Sequence, residues 1–203
     1  MNIHCPCCKK EPVHKFLRFQ TLEIALKEIA PGECFDIVLL LRCGFDMLPV
    51  FLDGNRIGRE ILNYFLQSKL DLQVLAVFNP TFKSLPRSLS DMDNLDVLVL
   101  RSCHFLRKID SILELRTLIA LEISGSNILE KIEDDFFKSM PRLQSLNLFG
   151  LRIESLPSSV YHLSELRWLI LRGCSRLRKL DSLRHLRNLV VLDLHGATYL
   201  QHI

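Results

Sequence analysis

The stretch "LRWLILRGCSRLRKLDSLRHLRNLVVLDLHGATYL", residues 166–200, decides the fold. Its leucines are dense, yet charged residues break every apolar run, and nothing approaches the roughly 18 consecutive apolar residues of a membrane span. The spacing is ordered. Leu166, Leu169 and Leu171 are followed by Cys174, Leu177 and Leu180, and then Leu189, Leu192, Leu194, Ala197, Leu200 and Ile203 repeat the pattern. Upstream, the same beat runs through Leu95, Leu98, Leu100, Cys103, Leu106 and Ile109, and through Leu118, Leu121, Ile123, Ser126, Leu129 and Ile132. A shorter variant occupies Leu143, Leu146, Leu148, Leu151, Ile153 and Leu156, matching Leu72, Leu75, Val77, Pro80, Phe82 and Leu85. Units start at 72, 95, 118, 143, 166 and 189, at intervals of 23, 23, 25, 23 and 23. A seventh, "MLPVFLDGNRIGREILNYFLQSK", starts at Met47 and aligns Leu52 with Ile123, Asn55 with Ser126 and Phe65 with Phe136.

Six concordant units of L-x-x-L-x-L-x-x-N/C-x-L form the leucine-rich-repeat pattern. The last two leucines of L-x-x-L-x-L are two apart, so a short strand points both inward. Spacings of three and four around Val160, Leu163 and Leu166 predict a helical or 3-10 return segment. No unit can bury its leucines alone. The expectation is therefore an α/β solenoid, a curved, right-handed β-α/3-10 superhelix with a parallel sheet on its concave face. Cys103 and Cys174 stand where the pattern takes asparagine or cysteine and read as structural thiols.

The whole chain supports this class. Its 203 residues are 48% hydrophobic and 24% charged, as in a globular protein, and the net charge of +3 implies no polyanionic partner. The start, "MNIHCPCCKKEP", lacks the apolar core of a secretory signal. Seven cysteines without framework spacing suit reduced thiols and a cytoplasmic location. Before residue 47 the register fails. Residues 1–46 are expected to form an N-terminal helical cap with a degenerate first repeat, and 47–203 the repeat domain. Within the cap, Val13, Phe16, Leu17 and Ile24 have helical spacing, stopped by Pro31-Gly32. "CFDIVLLLRCGFDMLP" also reads as a strand unit, but it overlaps the one at Met47, and the register of residues 30–50 stays open. At Ile203 the pattern stops mid-unit, which suggests a fragment, a truncated product or a covered end.

Catalysis finds no foothold. His4, Cys5, Cys7, Cys8 and His14 cluster, but no second cysteine pair follows to complete a zinc site. "GNRIGRE" at Gly54 has three residues between its glycines, and Arg59-Glu60 where a phosphate loop needs Lys-Ser/Thr. Neither G-x-S-x-G nor H-E-x-x-H occurs, and His162, His185 and His195 stand in no catalytic spacing. The expectation is a non-enzymatic chain without cofactor or metal.

Binding is better supported. Side chains that alternate with the inward leucines face the concave sheet. One column reads Asp53, Phe78, Arg101, Ser124, Phe149, Arg172 and His195, and its neighbour reads Phe51, Ala76, Val99, Glu122, Asn147, Ile170 and Asp193, with Trp168 on the same face. Aromatic and arginine side chains are the types that anchor protein interfaces. The candidate contact residues are Phe78, Val99, Arg101, Glu122, Asn147, Phe149, Trp168, Ile170, Arg172, Asp193 and His195. The last full unit is basic, with Arg167, Arg172, Arg176, Arg178, Lys179, Arg184 and Arg187, while the unit from 118 carries Glu122, Glu130, Glu133, Asp134 and Asp135. That asymmetry suits steering of a charged partner or a solvated face equally. Nucleic acid is not expected, because no aromatics interleave those arginines.

"LVLRSCHFLRKI", "LNLFGLRIESLPSSVYHLSELRWLILRGCSRLRKL", "LDLHGATYL" and "IEDDFFKSMPRLQSLNL" resemble the repeats of plant intracellular nucleotide-binding leucine-rich-repeat disease-resistance proteins. The glycine-isoleucine-proline signature of secreted plant receptors is absent, although Leu48-Pro49, Leu85-Pro86 and Leu156-Pro157 carry a leucine-proline variant. The resemblance covers about residues 47–203. It implies a protein-recognition module that contacts a pathogen effector, a guarded host protein or a nucleotide-binding domain. No phosphate loop precedes these repeats, so nucleotide-driven switching does not carry over. The alternative is a scaffold or regulator of a signalling protein.

Overall fold

The computed structural model describes residues 50–201. Each L-x-x-L-x-L core in that range forms a short strand: β1 (Val50–Asp53), β2 (Val74–Phe78), β3 (Val97–Arg101), β4 (Ala120–Ile123), β5 (Ser145–Asn147), β6 (Trp168–Ile170) and β7 (Val191–Asp193). They pair in sequence order as one seven-stranded parallel sheet. The register follows the repeat, with Leu75, Leu98, Leu121, Leu146, Leu169 and Leu192 side by side. Leu75 through Leu169 are buried in a continuous core, while Leu192 in the last strand is half-buried. Among the described strands β7 pairs on one side only, and a leucine stacked on one neighbour is less completely covered.

The returns differ in a way the sequence explains. Between β2 and β3, and between β5 and β6, they are five-residue 3-10 helices at Arg87–Asp91 and Ser158–His162, capped by Pro86 and Pro157. Proline presets φ and lacks only an N–H that a helix start leaves unpaired. Returns without that proline, at Asp110–Ile112 and Leu183–His185, are three residues long. The return after β1 is a true helix, α1 (Arg59–Gln67), which buries Leu62 and Leu66 one turn apart. Phe136 and Phe137 turn the unit after β4, meeting edge to face with ring centroids 5.0 Å apart, and both are buried, as is Met140.

A second set of backbone bonds ties neighbouring units on the far side of the sheet: Arg107 N donates to Lys83 O (2.8 Å), Arg178 N to Glu154 O (3.0 Å) and Gln201 N to Arg178 O (3.1 Å). Small side chains add to them. Ser126, fully buried, donates from Oγ to Leu106 O (3.0 Å) and accepts from Leu129 N (3.0 Å). Cys174 Sγ reaches Leu148 O at 3.1 Å. Asn55 does not share the role of Ser126: it is exposed, and its backbone N donates to Asp53 Oδ1 (3.0 Å). The turn is different because Gly54 lies directly on the next unit. An added Cβ there would sit 2.5 Å from Pro80 Cα.

The expected helical cap over residues 1–46, the cysteine cluster and the overlapping strand reading of residues 34–49 lie outside the described residues.

Candidate interaction face

Pairing in register places the concave side chains in three stripes. Val74, Val97, Ala120, Ser145, Trp168 and Val191 make the first, and Ala76, Val99, Glu122, Asn147, Ile170 and Asp193 the second. Phe78 and Arg101, paired at the strand ends, open the third. The candidate residues therefore share one face. They do not share one environment.

Over β2 to β4 the face is mostly closed, with an apolar cluster at its centre. Val74, Ala76, Val97, Val99 and Ala120 are buried in a cluster of their own, with half-buried Phe51 and Phe78 packed against it. The two rings stack with centroids 6.2 Å apart. Beside this cluster lies an ion pair. Arg101 donates from Nε to Glu122 Oε1 and from Nη2 to Oε2 (3.0 Å), and Ser124 Oγ donates to Glu122 Oε1 (3.4 Å). Arg101 and Glu122 are 8% and 6% exposed, and Val99 is 2% exposed. A planar guanidinium matched to both carboxylate oxygens is the geometry that makes a desolvated pair tolerable. Val99, Arg101, Glu122 and Asn147 thus face the concave side without being open to a partner in this conformation.

From Phe149 onward the face opens. Phe149 is 39% exposed, Trp168 and Ile170 are half-buried, and Arg172 and His195 are exposed. A common local device holds these side chains. Asn147 Oδ1 accepts from Phe149 N (3.0 Å), and Asp193 Oδ1 accepts from His195 N (2.9 Å). Each bond fixes the strand exit as a short side chain–backbone turn. The chain then passes through Gly150, Gly173 and Gly196 at φ of +67°, +71° and +78°. Those values are strained for residues with a Cβ. Gly150 N donates to Arg172 O (2.9 Å) and Gly173 N to His195 O (2.7 Å), so Phe149, Arg172 and His195 stand in line on stacked turns. Asn147 and Asp193 are positioning residues within that array.

The charge asymmetry is partly internal. Arg176 pairs with Glu130 two units away (3.0 Å), and Arg178 with Glu154 one unit away (3.4 Å). His162 and His185, scattered in the sequence, stack with centroids 6.4 Å apart, and their separation of one repeat was the signal for it. Burial pushes the thiol of Cys103 up to about 12, with the nearby Glu122 adding to it, and burial raises Cys174 to about 11. Neither is an available nucleophile at neutral pH. Among the described residues no three His, Cys, Asp or Glu side chains could hold a metal, and no helix is long and apolar enough to cross a membrane. An open cleft of about 410 Å³ between α1 and the following 3-10 helix is lined by both charge signs, with Arg59 and Arg87 against Glu60 and Asp91.

The family model described as leucine rich repeat matches residues 116–177. The chain is 45% identical over 155 residues to the putative disease resistance protein At4g19050 of Arabidopsis thaliana, and 39% identical over 159 residues to the probable disease resistance protein At5g45510. Its repeats are similar to a stretch of these plant disease-resistance proteins. The matches cover 75% and 78% of this chain but only 13% of each relative. A leucine-rich-repeat protein of Leptospira interrogans, at 22% identity, superposes with a TM-score of 0.55 over 79% of this repeat chain and 52% of that protein. That likeness supports the solenoid fold alone.

Proposed function

We propose that this chain is a non-enzymatic protein-recognition module of the resistance type, acting in the cytoplasm, and that it contacts a pathogen effector or host protein through the open half of its concave face. The observation that carries the reading is the array of Phe149 and Arg172 on hydrogen-bonded stacked turns with Trp168 and Ile170 on β6 beside them. Aromatic and guanidinium groups on a pre-organised face supply contact area at low ordering cost. The buried half, Val99 and the Arg101–Glu122 pair included, supports that surface and keeps its spacing.

The test is affinity capture or proximity labelling in plant cells with wild type and a Phe149→Ala/Trp168→Ala/Arg172→Ala variant shown to be folded by circular dichroism. Partners lost only from the variant support recognition through this face. Identical partner sets would move recognition elsewhere and favour a scaffold or regulator of a signalling protein.

A further inference from the structure

The 3-10 returns before and after β6 bring two histidines together. His162 ends the return Ser158–His162, and His185 ends the return Leu183–His185 one repeat later. Both side chains are exposed. Their rings lie nearly parallel, with 8° between the planes and centroids 6.4 Å apart.

The hydrogen-bond partners decide which ring nitrogen carries the proton. His162 Nδ1 lies 3.1 Å from Ser158 O, and a carbonyl oxygen only accepts, so Nδ1 donates and Nε2 keeps its lone pair in the neutral ring. Arg184 donates from Nε to His185 Nε2 (3.1 Å), and a guanidinium only donates, so this Nε2 also carries a lone pair. The two imidazoles therefore hold the same tautomer. A ring N–H given to a backbone carbonyl, with the other nitrogen unprotonated, is the arrangement that orients a metal-binding imidazole.

We infer that His162 and His185 form a binding site for a divalent transition-metal ion of the zinc, nickel and copper class, each giving its Nε2 lone pair. Imidazole nitrogen selects that class over magnesium and calcium, which take oxygen ligands. Metal–nitrogen bonds of about 2.0–2.1 Å draw the two Nε2 atoms to within about 4 Å of each other. Two exposed side chains on neighbouring returns reach that separation by rotation about χ1 and χ2. Arg184, itself exposed, gives up its contact with His185 and turns to solvent. Water completes the coordination, because among the described residues no third His, Cys, Asp or Glu joins the pair. The ion ties the return before β6 to the return after it, so it stabilises the stack where Trp168 and Ile170 stand.

The experiment is calorimetric titration of the full chain with nickel chloride, using wild type, His162→Gln, His185→Gln and Arg184→Gln. All three substituted side chains are exposed, so each variant should keep the wild-type circular dichroism. The cluster of His4, Cys5, Cys7, Cys8 and His14 is the same in all four proteins, so the site is read as the difference between them. Wild type should bind one ion that either glutamine variant binds at least tenfold more weakly. Nickel should raise the thermal midpoint of wild type more than that of either histidine variant. Arg184→Gln, which frees the His185 lone pair, should bind at least as tightly as wild type. Equal binding by wild type and both histidine variants would overturn the site. Loss in only one of the two would overturn the shared ion, and weaker binding by Arg184→Gln would overturn the assignment of Nε2 as the ligating atom.

Discussion

At the scale of single residues, the two described cysteines show how environment decides chemistry. Cys103 and Cys174 occupy a column that the neighbouring unit fills with Ser126, and all three are buried. Their thiols are held well above the usual range, chiefly by loss of water, with Glu122 adding repulsion at Cys103. A thiol raised in the folded chain favours folding fully below the unfolded-state value near 9.0, and that contribution is lost as pH climbs toward the folded value of about 12. The expected outcome is a stability that falls above pH 9 more steeply in wild type than in Cys103→Ala, by up to about 1.4 kcal/mol per pH unit. Denaturant melts between pH 8 and 10.5 would measure it, and equal slopes would refute it. Alkylation mapped by mass spectrometry should modify both residues only after unfolding.

At the scale of elements, the strands were legible in the sequence because leucine spacing reports a period of two, and the stacking of units fixes the register. The returns were legible in kind. Leu85-Pro86 and Leu156-Pro157 mark the longer 3-10 segments, a link between proline and length visible only once the elements are aligned. The environment of the concave face was not legible. Alternation says that Val99, Arg101 and Glu122 point to that face, but it cannot say that one stretch of the face is closed and another open. Nor could spacing foresee that Arg101 on β3 and Glu122 on β4 would pair across the strands, since they stand 21 residues apart in different columns. That cross-strand pair carries a prediction. Arg101→Met leaves the Glu122 carboxylate buried without a countercharge from Arg101, with Ser124 Oγ donating to it, and should destabilise by about 3–5 kcal/mol. Arg101→Met/Glu122→Met removes both charges and should recover most of that loss. A double-mutant cycle by urea denaturation measures the difference. Equal losses in the single and double variants would mean that the pair does not set the cost.

At the scale of the molecule, the solenoid joins each unit only to its neighbours, so the consequence of a lesion depends on where in the stack it falls. Leu146 lies in β5 with a paired strand on either side and no exposure, whereas Leu192 lies half-buried in β7, paired only with β6 among the described strands. An aspartate at either site carries the same charge. At Leu146 it must be desolvated within the continuous core, costing several kcal/mol of a total near 5–15, and both flanking interfaces are disrupted together. At Leu192, half-buried with one described strand beside it, β7 can fray, let water reach the carboxylate, and leave the stack from β1 to β6 standing. Leu146→Asp should therefore abolish the cooperative thermal transition seen by circular dichroism or lower it by more than ten degrees. Leu192→Asp should shift it by only a few degrees and speed hydrogen exchange in β7 alone. The same fraying would loosen His195 and Asp193 while Phe149 and Trp168 stay in place. A binding surface built from adjacent units thus loses the contacts nearest the lesion first, and if Leu192→Asp unfolded the whole chain instead, the nearest-neighbour account of this stack would be wrong.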